Sequence, residues 1–395
     1  MKTGIISENT KKYGKGEKNM IIMNLELDNF FAFRNFKLNM SYPKKIVDSS
    51  IENEFLTGRE NFRYKKVNIL MGANATGKTS IGKMLMRIFN FIDKKEASRI
   101  TEVIEDSGRQ AEFSMDFVTE SYQLYRLNVI AHPVEQPEDT PALEVCTRSV
   151  KINKADSYEL CVKKIENIPC IYQKDYGEEL EKIDGLGWMF SYLLEIEQGV
   201  LRCPRNPLYP QILDHTLRAL DPSIEKVDKL DGVENTFVIR SKEHNLVMQD
   251  GKVIHNDILS SGTRAGIDIA GMIAAMQEGE CGFYYCDEKF SYIHSDMEKA
   301  FLSIMIDAIK ENEQLFFTTH NMDILDMHLP KHTYVFLKKD VNDEEHPIQC
   351  ISASQYLKRS TDSVRNAVEN DLFSVAPNLD LIYEIADMHN YMEEL

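Results

Sequence analysis

Long apolar runs are missing from this sequence. None of its segments approaches the ~18–20 consecutive apolar residues that a membrane helix needs, so no membrane partner or span is expected. Positive charge is also scarce: 46 Lys and Arg stand against 63 Asp and Glu, a formal net charge of −17. That balance speaks against a protein that coats nucleic acid with its whole surface, while leaving room for a local basic strip. Cysteine pairing signals are absent as well. The 7 cysteines (Cys146, Cys161, Cys170, Cys203, Cys281, Cys286, Cys350) include no CxxC, are odd in number and irregularly spaced. They read mostly as buried thiols of a reducing compartment, not as a disulfide frame or zinc ligands. The lysine-rich start, 1-MKTGIISENTKKYGKGEKN-19, has neither periodicity nor the apolar core of a secretory leader. It is expected to be a disordered extension on a cytoplasmic protein. Repeats and low-complexity tracts are not found.

What is present is an ordinary globular chain. Its 395 residues suit one large or two medium domains, and 43% hydrophobic residues is enough for a real core. The alternation in 20-MIIMNLELDNFFAFRNFKLNM-40 predicts a strand hairpin, and 66-KVNILM-71 another short strand. In 78-KTSIGKMLMRIFNFI-92, Ile81, Leu85, Ile88, Phe89 and Ile92 share a helix face. Two antiparallel strands are expected over 111–131, a surface loop over 132–144 and further strands over 145–170. Residues 177–220 read as helical, broken at 203-CPRNPLYP-210. Alternation returns over 235–254, with a turn at 250-DG-251. From 264 onward, helical and buried-strand patterns alternate, which implies a parallel α/β core.

The motif with most chemical content is 72-GANATGKTS-80. It fits G-x-x-x-x-G-K-[ST], with a strand before it and a helix after it, the context a phosphate loop requires. Glycines let successive N–H groups face one point, and the helix start adds partial positive charge. Gly72, Ala73, Asn74, Ala75, Thr76, Gly77, Lys78, Thr79 and Ser80 are therefore expected to hold the phosphates of ATP. Lys78 would reach the β- and γ-phosphates, and the Thr79 hydroxyl would ligate Mg²⁺. The bland alternative is a glycine-rich turn.

Two buried strands end in reactive groups. In 283-FYYCDE-288, Asp287 suits the magnesium side of a nucleotide site, and Glu288 suits a general base polarising water. Solvated acids at a strand end are the alternative. In 314-QLFFTTHNMD-323, His320 closes the next strand. Ligands of open parallel sheets gather at the carboxyl ends of strands, so His320 falls on the phosphate side. A fourth segment, 258-ILSSGTRAGID-268, puts Ser260, Ser261 and Gly262 at a second helix start able to bind an anion. One nucleotide does not need two such starts from one chain, but two chains could share them.

Taken in order, GANATGKT, LSSGT, YYCDE and TTH resemble the ATP-binding-cassette ATPases. The likeness is to their non-transporter branch of chromosome-structure, recombination-repair and phage-defence ATPases. LSSGT stands where that family has its LSGGQ-type signature: Ser260 matches the serine, Ser261 replaces the first glycine and Thr263 the glutamine. The segment 29-NFFAFRNF-36 is similar to the branch's first hairpin. The runs 220-LDPSIEKVDKL-230 and 364-VRNAVENDLFSVAPNLDLI-382 resemble compact prokaryotic AAA-type (OLD/SMC-like) ATPases of phage-defence or abortive-infection systems. There are departures. About 180 residues separate Lys78 from Ser260, too few for long coiled-coil arms, and no heptad run is present. The C-terminal part is too short for a topoisomerase-primase nuclease domain. The Q-loop glutamine is open among Gln110, Gln123 and Gln136. Residues 291–294 would form the dimer-facing loop, with His294 either matching a loop histidine of the group or simply capping the helix that follows.

The resemblance implies an α/β ABC-type P-loop ATPase head with an antiparallel β-subdomain and a helical signature lobe. Residues 20–170 and 281–395 would form the nucleotide-binding core, and 171–280 the signature lobe. ATP and Mg²⁺ are the implied cofactors, with Thr79 and Asp287 on the metal and Lys78, Glu288 and His320 catalytic. Two copies would sandwich the nucleotides, Ser260, Ser261 and Gly262 of one covering the phosphate loop of the other. The implied role is a nucleotide-driven sensor or regulator of a partner effector, a toxin or nuclease, in anti-phage defence. The alternative is a DNA-repair or DNA-end clamp, so DNA remains a possible partner. Among weaker features, the lysines of 1–19 and 93-DKKEASR-99 could touch nucleic acid but read better as a solvated face. Met84, Met86, Met272 and Met276 read as core or interface, and Trp188 in 185-GLGWMFSYLLEI-196 as helix packing.

Overall fold

A computed structural model describes residues 20–46, 49–136, 139–192, 204–242, 244–254, 259–359, 361–374, 379–380 and 382–385. The expected extension 1–19 and Cys203 lie outside them.

The site is built on a six-stranded sheet. Its order is Ile348–Ser352, Tyr334–Lys339, Val67–Met71, Gln314–Thr318, Phe283–Asp287 and Trp188–Tyr192. The last five run parallel, and only Ile348–Ser352 is antiparallel. The strands at 67–71, 283–287 and 314–318 are buried along their whole length. That is why their sequences are nearly continuous apolar runs, as strands covered on both faces must be. Alternate side chains feed two cores. Leu70, Phe283, Tyr285 and Phe316 pack with the helix Lys78–Lys94 on one face. Ile69, Tyr284, Cys286, Leu315 and Phe317 pack with the helices Ser261–Glu278 and Ser295–Ala308 on the other. The four methionines singled out above are all buried in these cores.

A five-stranded antiparallel sheet, Phe36–Asn39, Met20–Asp28, Ala111–Thr119, Gln123–Ala131 and Leu143–Lys151, covers the first face. Its opening hairpin is the one expected from 20–40, with Leu25 opposite Leu38. A second antiparallel sheet has four strands, Ile224–Lys229, Thr236–Ser241, Asn245–Gln249 and Lys252–Val253. Asp250 and Gly251, at φ 48° and 79°, make its two-residue turn. This sheet packs on the helices Tyr209–Leu220 and Ser261–Glu278 through Leu213, Leu217, Phe237, Met248, Ile267 and Ala270. The fold is thus α/β, with antiparallel sheets and helices, and Ser260 starts a helix packed on the four-stranded sheet.

Three local expectations are corrected. Residues 145–170 are not strand throughout: the strand ends at Lys151, and Tyr158–Glu166 is helical. Ser157 caps that helix, and Tyr158, Cys161 and Ile165 form its buried stripe. The helical reading of 177–220 fails at Trp188, although its ring does pack on the helix Lys78–Lys94, 6.1 Å from the Phe89 ring and with Nε1 donating to Asp93 at 3.3 Å. Trp188 starts a strand hydrogen-bonded beside Phe283–Asp287, an edge where a short apolar run gains more from sheet pairing than from a helix. Cys146 and Cys170 form a disulfide. The backbone bridge between Val145 and Gln173 brings their segments together, which sequence spacing cannot show. Cys161, Cys281, Cys286 and Cys350 are free thiols. Among the described residues, no helix is long and apolar enough to cross a membrane.

Candidate functional site

The strand Val67–Met71 delivers the chain to Gly72, where only glycine fits: a Cβ would lie 2.5 Å from the Leu337 carbonyl oxygen. Gly77, at φ 101°, turns the chain into the helix Lys78–Lys94 against the Phe33 ring. No described side chain caps this helix start, and its first turn holds no acid. Its N–H donors and partial positive charge are left for an anion. Thr76 ties the loop by donating to the Ala73 carbonyl at 2.9 Å. Asn74 and Ala75 are exposed at its tip, and Ser80 is half-buried in the first helical turn.

Lys78 is buried at the base of the loop. Its Nζ donates to the Gly72 and Ala73 carbonyls at 2.9 and 3.1 Å. The same atom lies 3.4 Å from Glu288 Oε1 and 3.5 Å from His320 Nδ1. Burial pulls the ammonium pKa down, while Glu288 and Asp287 oppose that pull. The opposite ring nitrogen, His320 Nε2, is 2.7 Å from Glu288 Oε1. That hydrogen bond is the main reason the Glu288 carboxyl titrates below its ordinary range, against the effect of burial.

Asp287 sits one residue earlier and faces the other way. The Thr79 hydroxyl donates to its Oδ2 at 2.7 Å, and Thr318 to its Oδ1 at 2.8 Å. Burial raises the Asp287 pKa, and the two hydroxyls counter it. The separation of two adjacent carboxylates into two environments has a backbone cause. Glu288 has φ 47°, a left-handed conformation unusual for a residue with a Cβ. Its N–H is held by the Thr318 hydroxyl at 2.9 Å, and the following residue, Lys289, forms a largely buried ion pair with Asp268. Underneath, the Tyr285 hydroxyl donates to the Lys78 carbonyl at 2.7 Å.

Lys78, Thr79, Asp287, Glu288 and His320 therefore meet. Ser260, Ser261 and Gly262 do not join them within the chain. Ser260 caps the helix Ser261–Glu278, its Oγ accepting from Thr263 N at 3.1 Å. Asp221 accepts from the Thr263 hydroxyl at 3.2 Å. Ser260 to Gly262 line a cleft of about 400 Å³ whose other wall is Tyr292, Ile293, His294 and Met297. His294 caps the helix Ser295–Ala308, its Nδ1 accepting from Asp296 N at 3.2 Å. None of the three glutamines reaches the site. Gln110 pairs with Glu112, Gln123 opens a strand of the five-stranded sheet, and Gln136 lies in the loop before Leu143. The strand that runs beside Asp287 ends at Tyr192, and residues 193–203 that follow it are outside the described chain.

Several residues of the site escape motif reading. Thr318 and Tyr285 lie inside the apolar strands and look like core. Glu298, buried in the helix after the 291–294 loop, accepts from the Thr319 hydroxyl and the Asn321 amide on either side of His320. Thr318 alone left a trace, as the first of two threonines at a strand end.

No family model matches the chain, and no curated protein matches it. Solved structures do resemble it. An SMC head domain from Thermotoga maritima aligns over 84% of this chain and 98% of its own, with 12% identity and a TM-score of 0.42. The Smc head domain from Pyrococcus furiosus, bound to the C-terminal domain of ScpA, covers 85% and 97%, with 13% identity and a TM-score of 0.49. The recombination mediator protein RecF-ATPrS of the RecFOR pathway covers 85% and 99%, with 10% identity and a TM-score of 0.39. At these identities the likeness is one of fold, and no residue role is taken from it.

Proposed function

We propose that the chain binds ATP and hydrolyses its β–γ bond, acting as a dimeric nucleotide-driven switch. The observation that carries this reading is the meeting of Lys78, Glu288 and His320, from three separate segments, at the mouth of an uncapped phosphate-loop helix. The residues also suit Mg²⁺. Thr79 and Asp287 offer two hard oxygens 2.7 Å apart beside the loop. Among the described residues no group of three or more His, Cys, Asp or Glu could hold a metal, so phosphate and water oxygens would complete the coordination. When bound, Mg²⁺ supplies charge neutralisation at the phosphates.

The protein's own part follows from its geometry. The 72–77 backbone and the helix start bind and orient the phosphates. Lys78, buried and held by two carbonyls, places a positive charge where negative charge develops. Glu288, kept ionised by His320, accepts the proton of the attacking water. His320 fixes that carboxylate in place. Ser260, Ser261 and Gly262 of a second copy would cover the nucleotide, with 20–170 and 281–395 acting as core together with the segment up to Tyr192, whose strand joins the six-stranded sheet, and the rest of 171–280 as signature lobe. We place this switch in control of a partner effector, a toxin or nuclease, in prokaryotic defence. Two features support that role: the resemblance of the motif set, and a longest described helix, Ser261–Glu278, of only 18 residues, which leaves no coiled-coil arm among the described residues.

The test is ATP turnover by wild type and Glu288→Gln, with and without duplex DNA. Wild type should turn over only with Mg²⁺. Glu288→Gln should lose at least about 100-fold in kcat, as expected for a general base, and accumulate as an ATP-bound dimer. Equal rates would remove Glu288 from the mechanism. Strong stimulation by DNA would replace the effector reading with a DNA-end clamp.

A further inference from the structure

The loop carrying His320 is gripped from behind by one carboxylate. Glu298 lies in the first turn of the helix Ser295–Ala308 and is 4% exposed. The Thr319 hydroxyl donates to its Oε1 at 2.6 Å, and Asn321 Nδ2 donates to its Oε2 at 2.8 Å. These two residues flank His320, so Glu298 holds the side chains of both chain neighbours of the imidazole. Thr319 Oγ1 also accepts the Asn321 N–H at 2.9 Å, and Asn321 Nδ2 reaches Ser295 Oγ at 3.1 Å. The loop is closed on itself and tied to the helix start. A burial this deep penalises the carboxylate, and its two donors and the positive end of the helix compensate. A glutamine could keep the Asn321 contact only by turning Nε2 toward Thr319 Oγ1, which would then lose the acceptor for its own hydroxyl proton and have to accept a second N–H beside that of Asn321.

The helix also has a second connection. It begins at the loop 291–294, and a Cβ on Gly262 would come within 3.2 Å of the Tyr292 carbonyl oxygen. The signature turn, the 291–294 loop, Glu298 and His320 are thus joined in sequence through packed elements.

We propose that Glu298 is a positioning residue for the hydrolytic step: it fixes His320 through Thr319 and Asn321 and links that loop to the helix start facing Ser260–Gly262. This rests on the ATPase reading above. Glu298 makes no contact with the nucleotide in this scheme, so its removal should act on rate and not on ATP binding.

The experiment is single-turnover ATP hydrolysis by the full chain as wild type, Glu298→Gln, His320→Ala and the double variant, with ATP affinity measured on each. Glu298→Gln should slow hydrolysis about 10- to 100-fold, the scale of a small misplacement of a catalytic group. Its ATP affinity should stay within about twofold of wild type. In the His320→Ala background the same substitution should slow nothing further, because its effect passes through His320. Wild-type speed in Glu298→Gln overturns the proposal. So does a double variant slower than His320→Ala by the full single-variant factor, which would mark a general structural role. Should Glu298→Gln fail to fold, Thr319→Val should show the slow phenotype and Thr319→Ser, which keeps the hydroxyl, should restore the rate; equal rates in the two overturn it. A wild type that hydrolyses no ATP removes the ATPase reading itself, and is seen before any Glu298 variant is made.

Discussion

His320 Nε2 lies 2.7 Å from Glu288 Oε1, while Lys78 Nζ approaches the other side of the same ring at 3.5 Å. The imidazole thus bridges the lysine of the phosphate loop and the carboxylate at the end of the neighbouring strand. Its removal should leave Glu288 both less fixed and less strongly ionised. His320→Ala is expected to lower kcat about 10- to 100-fold with little change in KM, the pattern of a group that acts mainly in the transition state. Steady-state kinetics at saturating Mg²⁺ test this. A rise in KM at unchanged kcat would make His320 a binding residue instead.

Gly82 shows how the core serves the site. A Cβ there would lie 2.5 Å from the Tyr285 ring. That ring cannot easily yield, being stacked on Phe190 and Phe316 with its hydroxyl on the Lys78 carbonyl. Alanine gains up to ~1 kcal/mol of helix propensity over glycine, but overpacking a core costs about 1–3 kcal/mol. Gly82→Ala should therefore be destabilising by about 1–2 kcal/mol in urea melts and should weaken ATP binding. A stabilised variant would show that Tyr285 has room to move.

Glu298 gives stability a pH dependence of definite sign. Its pKa is raised by burial, so the folded state binds more protons than the unfolded state between the ordinary and the raised value. Stability from this group therefore falls as pH rises through that window, and is recovered on acidification. Glu298→Gln removes the titration. The difference in Tm between Glu298→Gln and wild type should shift in favour of the variant as pH rises from the ordinary carboxyl range upward. A difference constant with pH would mean that Glu298 is charged in the fold without penalty.

The disulfide Cys146–Cys170 spans a separation of 24 residues. Closing a loop of that size restricts the unfolded chain by about 3 kcal/mol. Reductant should lower wild-type stability in urea by roughly that amount and leave Cys146→Ser unaffected. Equal loss in both proteins would show that the pair is not bonded in solution.

How much of this could be read in the sequence depends on whether the determinant is local. The phosphate loop is a run of nine residues between a strand and a helix, and its physics is contained in that run. Asp287-Glu288 and His320 were legible because each ends a buried apolar strand, and a parallel sheet puts such ends on one side. Trp188–Tyr192 was not legible, since five mostly apolar residues suit a buried helix or strand equally. Only its place beside Phe283–Asp287 decides. Glu298 was hidden for a related reason. It sits on an ordinary amphipathic helix, and its role exists only where Thr319 and Asn321 fold against it. The Cys146–Cys170 pair likewise depends on a bridge between distant segments.

The placement of Ser260 leads to the sharpest prediction. In one chain it caps its own helix and lines a cleft with Tyr292 and His294, and none of Lys78, Asp287, Glu288 or His320 lines that cleft. If the active site is completed between copies, Lys78 and Ser260 act on different chains. Lys78→Ala and Ser260→Arg should each abolish turnover alone, while the Ser260→Arg subunit still binds ATP. Mixing the two variants changes the outcome. A mixed dimer has one site carrying both defects and one site carrying neither, so activity should return to roughly a quarter of wild type for random pairing with one working site per mixed dimer. Recovery should rise with the fraction of mixed dimers, measured by subunit exchange of tagged chains. No recovery at any ratio, with mixed dimers shown to form, would confine Ser260 to capping its own helix.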